Sequence, residues 1–140
     1  MNYAKLKEIS DYRSEKDCAG ITELRRIIKA IQQYVNIDKV ALIYPRNIFS
    51  VEGHSEVFLF MQDNQVIIIQ SPNKNIVIRR MYKDNILECE LIEYGDGIRN
   101  LMLTIKLKNG ESIILDSKTD SNSDWEDSYK EMIIEIYNFI

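Results

Sequence analysis

The chain is poor in the residues that most often carry chemistry. Its 140 residues include one histidine, His54, and two cysteines, Cys18 and Cys89. Neither a CxxC pair nor a Cys/His spacing occurs, which leaves no basis for a zinc site or a disulfide framework. No GxSxG, Walker, HExxH or Rossmann signature is present, so the common hydrolase, nucleotide and zinc-protease chemistries have no anchor. No apolar run approaches the eighteen or so residues of a membrane helix, and "MNYAKLKEISDYRSEKD" has no apolar signal core. Positive charge is also short. The net charge of −4 argues against a dedicated nucleic-acid binder, whose surface must neutralise phosphates. These absences make a reduced, cytoplasmic protein without cofactor or metal the expectation.

What is present is ordinary globular material. Hydrophobic residues make up 45% and charged residues 29%, enough for one packed domain over residues 1–140 and against wholesale disorder. Charge is uneven: residues 1–46 carry nine Lys/Arg and six Asp/Glu, and residues 47–140 carry nine and sixteen. Twenty-three Ile and eleven Asn against four Ala point to an AT-rich bacterial genome.

The first third reads as helical. Tyr3, Leu6 and Ile9 fit one face of a short helix, followed by the polar break "SDYRSEKDCAG". Ile21, Leu24, Ile28, Ile31 and Val35 then form the stripe of an amphipathic helix over 22–35, with Thr22 as its N-cap. From Lys39 the period becomes two. "VALIY" should stop at Pro45, which cannot donate to a ladder and marks a short or edge strand. "NIFSV" would continue it after a bend. "EVFLFMQ", "QVIIIQ", "NIVIRRMY", "ILECELIEY", "LMLTIKL" and "SIILD" follow, separated by short turns. Such links join antiparallel neighbours in a meander.

The hairpin "TIKLKNGESIILD" poses a problem of phase. A two-residue Asn109-Gly110 turn would put Leu103 opposite Asp116 and split the apolar faces. A three-residue loop with Gly110 left-handed pairs Leu107 with Glu111, Ile105 with Ile113, Leu103 with Leu115 and Lys106 with Ser112. Register follows the buried face, so the bulged loop is predicted. After it, Ser123 and Glu126 read as a capping box. Trp125, Tyr129, Met132, Ile133, Ile136 and Ile140 then form a terminal apolar stripe, which must lie on the dry side of the meander.

The fold class is therefore α+β: N-terminal helices over 1–36, then six to eight antiparallel strands and a C-terminal amphipathic helix over 39–140. This order, with "LTIKLKNGESIILD" and "DWEDSYKEMIIEIYNFI" as its clearest parts, resembles a pleckstrin-homology-like barrel, in which the last helix plugs an open corner. The helix-grip arrangement of START-like carriers is the alternative. Either resemblance implies binding and not catalysis. Lipid head-group binding is not carried over, because the nearest basic cluster, Lys74, Arg79, Arg80 and Lys83, does not sit in the first hairpin.

Other constellations have plain explanations beside the chemical ones. "DSNSDWEDSYKE" matches a calcium loop at Asp120, Asn122, Asp124 and Glu131, but Trp125 stands where the sharp turn needs glycine, and a linker plus capped helix explains the same residues. His54 with Glu52 and Glu56 reads as a solvated turn. Glu88 and Glu90 read as the wet face of a half-buried strand, with Cys89 a small buried residue on the other side. In "IVIRRMYKD" one Arg must share the side of Ile76 and Ile78, and Lys74, Arg79, Arg80 and Lys83 form a candidate partner or anion patch. "YGDGIRN" precedes no helix and is a loop, not a phosphate cradle. The expected function is a non-catalytic binding or adaptor module for a protein or peptide, docking on a strand edge near "VALIYP". The alternative is a carrier of a small apolar ligand between sheet and C-terminal helix. Homodimerisation through the N-terminal helix or an edge strand is left open.

Overall fold

The structure is a computed structural model that describes residues 1–11 and 18–140. Two helices come first, α1 (Tyr3–Asp11) and α2 (Ala19–Tyr34). Seven strands follow: β1 (Val40–Arg46), β2 (Glu56–Met61), β3 (Gln65–Gln70), β4 (Val77–Tyr82), β5 (Ile86–Tyr94), β6 (Asn100–Leu107) and β7 (Ser112–Asp116). Helix α3 (Glu126–Phe139) ends the fold. Strands β1 to β4 form one antiparallel sheet in chain order, and β5 to β7 form a second. The expected polar break after α1 falls largely on residues 12–17, outside the described residues.

The apolar runs explain the layers. Strands β2 and β3 read "EVFLFM" and "QVIIIQ", with almost no polar position, because both faces of the first sheet are covered at these central strands. Val57, Leu59, Ile67 and Ile69 point to one side and pack with Leu24, Ile27 and Ile31 of α2 and Leu6 of α1. Phe58, Phe60, Val66 and Ile68 point to the other and meet Leu103, Ile105 and Leu115 of the second sheet and Tyr129, Ile133 and Ile136 of α3. Tyr129 and Ile133 are fully buried there, while Trp125 is half-buried and stacks on Phe49 with ring centroids 5.7 Å apart. The side chains that would line a carrier's cavity between sheet and α3 pack against one another.

The β6–β7 hairpin adopts the bulged register that its apolar faces require. Ile105 pairs with Ile113, Leu103 with Leu115 and Lys106 with Ser112. The Leu107 amide donates to the Glu111 carbonyl at 2.9 Å, and Gly110 is left-handed at φ 91°.

Several expectations are corrected. Helix α2 begins at Ala19 and not after Thr22, whose hydroxyl instead bonds back to the Cys18 carbonyl. The extra turn is held by tertiary packing: the Gly20 amide donates to the Ser50 carbonyl, and a Cβ at Gly20 would lie 2.5 Å from the Ile48 carbonyl oxygen. Strand β1 runs through Pro45 to Arg46, because an edge strand has one side on which a missing N–H costs nothing. "NIFSV" does not continue it; Asn47 turns the chain at φ 59°. The capping box does not form. Trp125, not Ser123, precedes the first helical residue of α3, and Asn122 organises the turn before it by accepting the Asp124 amide. No ladder joins the two sheets among the described residues, so the expected barrel is not closed by backbone hydrogen bonds.

Candidate functional site

Seven strands in two open sheets leave four edges, and what happens to each decides where a partner could add. In an antiparallel ladder, alternate residues turn their N–H and C=O to opposite sides. The Leu107–Glu111 bond therefore leaves the even-numbered residues of β7 on its free edge. These are occupied. Arg46 Nη1 donates to the Ile114 carbonyl at 2.7 Å, and the Asp116 amide donates to Asp120 Oδ2 at 2.7 Å. The Tyr44 hydroxyl also donates to Asp120 Oδ2, at 2.8 Å. On β1 the Pro45 carbonyl accepts from the buried Tyr129 hydroxyl. Side chains thus bridge the β1 and β7 edges where no ladder does.

This seam is where the strongest electrostatic perturbations lie. Burial raises the Asp120 carboxyl to about 6, against partial relief from the Asp116 amide, the Tyr44 hydroxyl and Arg46. Burial, reinforced by Asp120, lifts both Tyr44 and Tyr129 well above the usual phenol range. Tyr94, hydrogen-bonded to Asp116 Oδ1 at 2.7 Å, is pushed up to about 12, by burial first and by that bond second. In the sequence Tyr44 ends the run "VALIY" before Pro45, Tyr129 belongs to the terminal apolar stripe, and Asp120 opens the calcium-like string in a polar connector. Only the polar tips of the two tyrosines, which need partners when buried, hinted at the network.

The β4 and β5 edges are different. Lys83 N–H bonds to the Asn64 carbonyl, so the odd residues of β4 face β3 and those of Ile78, Arg80 and Tyr82 face outward. The β5–β6 register likewise turns Cys89, Leu91 and Glu93 away from β6. Apart from the Glu93 carbonyl, which accepts from Arg99 Nη2 at 3.5 Å, no hydrogen bond seals these groups among the described residues. Strand β4 is exposed along nearly its whole length, on both faces, and carries Val77, Ile78 and Tyr82 in the open, Tyr82 at 52% exposure. Leu87 stands 68% exposed at the start of β5, where the register shifts between Ile86 and Glu88.

The residues of the candidate basic patch all lie on or beside β4, though they do not converge. Lys74 is in the left-handed turn before it. Arg79 and Arg80, being successive, take opposite faces. Arg80 shares its side with Ile78, and Arg79 reaches Glu111 at 3.2 Å in an exposed pair. Arg80 has no ion-pair partner among the described residues. Lys83 turns the other way, its Nζ 3.4 Å from the Phe139 ring centroid and 3.3 Å from the Phe139 carbonyl, and burial lowers its basicity. It closes the C-terminal end of α3. The next strand, β5, carries exposed Glu88, Glu90 and Glu93. Glu88 pairs with Lys106 and Glu93 with Arg99, leaving Glu90 unpaired among the described residues.

The remaining candidates are structural in place. His54 is exposed in a left-handed turn whose amides are tied to the Glu23 carboxylate, at 2.7 Å from His54 itself. Asp120 of the calcium-like string is buried and committed to Tyr44 and Asp116, and no group of three or more His, Cys, Asp or Glu is placed to hold a metal among the described residues. Cys89 is half-buried and faces Leu103 and Ile105; burial, with Glu88 second, raises its thiol pKa, so its reactive thiolate is disfavoured. A shallow groove of about 370 Å³ runs along the first half of β1, between Tyr3, Leu42 and Glu135.

With this geometry, the comparison that matches is a family of proteins of unknown function, DUF3908, whose model covers residues 5–131. The chain belongs to this family. The match runs from within α1 through α2 and all seven strands to the start of α3. No curated protein and no solved structure matches the chain. No helix among the described residues is long and apolar enough to cross a membrane.

Proposed function

We propose that this chain is a non-catalytic binding or adaptor module of the bacterial cytoplasm, which docks a protein or peptide by accepting an extended segment along β4. The observation that carries the reading is the contrast between edges. The β1–β7 seam is bridged by three side chains, Tyr44, Arg46 and Asp120, and Tyr129 of α3 holds the Pro45 carbonyl, while the outward N–H and C=O groups of Ile78, Arg80 and Tyr82 are left for another strand. On each face of β4 one arginine stands between two apolar side chains, Ile78–Arg80–Tyr82 on one and Val77–Arg79–Met81 on the other, which suits a segment with acidic residues set among apolar ones, since opposite charges across a strand pair stabilise it. The sheets of four and three strands, with a terminal helix seated against both, support a pleckstrin-homology-like architecture. Docking without chemistry is the usual work of that architecture. The absence of any nucleophile–base pair in the sequence motifs favours the same side.

The test is titration of the isotope-labelled protein with an alternating Glu–Val peptide, followed by amide chemical shifts. Movement centred on Ile78, Arg80 and Tyr82, lost with an alternating Lys–Val peptide, is the expected result. Movement centred on α2, or none at all, would refute the reading.

A further inference from the structure

Resting on the reading that β4 accepts an acidic, apolar strand, we infer that a second copy of this chain supplies it, through β5. Strand β5, "ILECELIEY", is itself such a strand: its outward backbone groups at Cys89 and Leu91 are unsealed among the described residues, it carries Glu88, Glu90 and Glu93, and Leu87 and Ile92 are exposed beside them. Within one chain β4 and β5 are consecutive, joined by residues 83–85, yet they belong to different sheets and form no ladder. Each edge is therefore open in the monomer.

Charge selects among the ways two copies can meet. Pairing β4 with β4 brings Arg79 and Arg80 against their own copies, and pairing β5 with β5 does the same for the three glutamates. Both arrangements oppose like charges across a strand pair. Pairing β4 of one copy with β5 of the other matches basic with acidic. A two-fold axis then forms the contact twice, so that all four open edges are used and the assembly closes as a dimer instead of growing into a fibre. Arg80 and Glu90, which have no ion-pair partner in the monomer among the described residues, each gain an opposite charge nearby.

Charge reversal with complementation tests this. Sedimentation velocity of the full chain over a wide concentration range should show a dimer, and R80E or E90K alone should weaken it about tenfold, because symmetry applies each reversal at two contacts. An equimolar mixture of R80E and E90K should recover dimer, since each acidic β4 then faces a basic β5 and each unaltered β4 faces an unaltered β5. Both positions are exposed, and unchanged circular dichroism and melting of each variant establish that it folds. A dimer indifferent to both substitutions, or a mixture no tighter than its components, would overturn the inference. So would a wild-type chain that stays monomeric. If that monomer still shifts its β4 amides with the Glu–Val peptide, the docking reading stands and only the identity of the partner fails; if it does not, both fail.

Discussion

Asp120 ties two strands together at the expense of burying a charge. Its carboxylate accepts from the Asp116 amide and the Tyr44 hydroxyl, and burial lifts its pKa from 3.8 to about 6. Between those values the folded chain holds a proton that the unfolded chain has released. The stability this group contributes is therefore complete below 3.8 and is lost as pH rises through about 6. A shift of about two pKa units corresponds to at most about 3 kcal/mol. Asp120→Asn, neutral at every pH, removes that dependence. Denaturant unfolding at a series of pH values should show the wild type losing up to about 3 kcal/mol relative to the variant between pH 4 and 8; a constant difference would contradict the assignment. Tyr129→Phe tests the same seam more simply. It strips the hydroxyl from a buried carbonyl and is expected to cost about 1–2 kcal/mol in chemical denaturation, with little change in helix content. None of this was visible in the sequence, where a tyrosine in an apolar stripe and an aspartate in a polar linker look alike whether or not they meet. Their separation of 76 residues, Tyr44 to Asp120, is closed only by the fold.

Elements were legible where a single face is buried. The β6–β7 register follows from matching apolar positions, and β5 and β7 have the predicted limits. Gly110 is the position on which that hairpin depends. Gly110→Val puts a β-branched residue at φ 91° and should cost about 1–2 kcal/mol, or shift the hairpin register, read from the amide shifts of Leu103 and Leu115. Element ends were less legible, because they are decided by packing. Helix α2 starts early since Gly20 fits against the Asn47 and Ile48 carbonyls, and Gly20→Ala should cost about 2 kcal/mol or more in thermal unfolding through that backbone clash. Helix α3 starts late because Asn122 takes the role that the Ser123–Glu126 pattern offered. The basic patch was legible as a break in alternation, yet the tie between Lys83 and Phe139 was not, because it joins residues 56 apart.

At the scale of the molecule, two helices, a sheet whose central strands are buried on both faces, and a second sheet with α3 account for most large apolar side chains, and five of the exposed ones, Val77, Ile78, Tyr82, Leu87 and Ile92, lie on β4 and β5. That distribution is what the docking proposal depends on, and amide hydrogen exchange reads it directly. In dilute solution the amides of Ile78, Arg80 and Tyr82 should exchange rapidly while that of Asp116, held by Asp120 on an equally peripheral strand, is protected. Added Glu–Val peptide should slow the three β4 amides and leave Asp116 as it was. Protection of the β4 amides in the free monomer, or exchange that the peptide does not alter, would contradict the account.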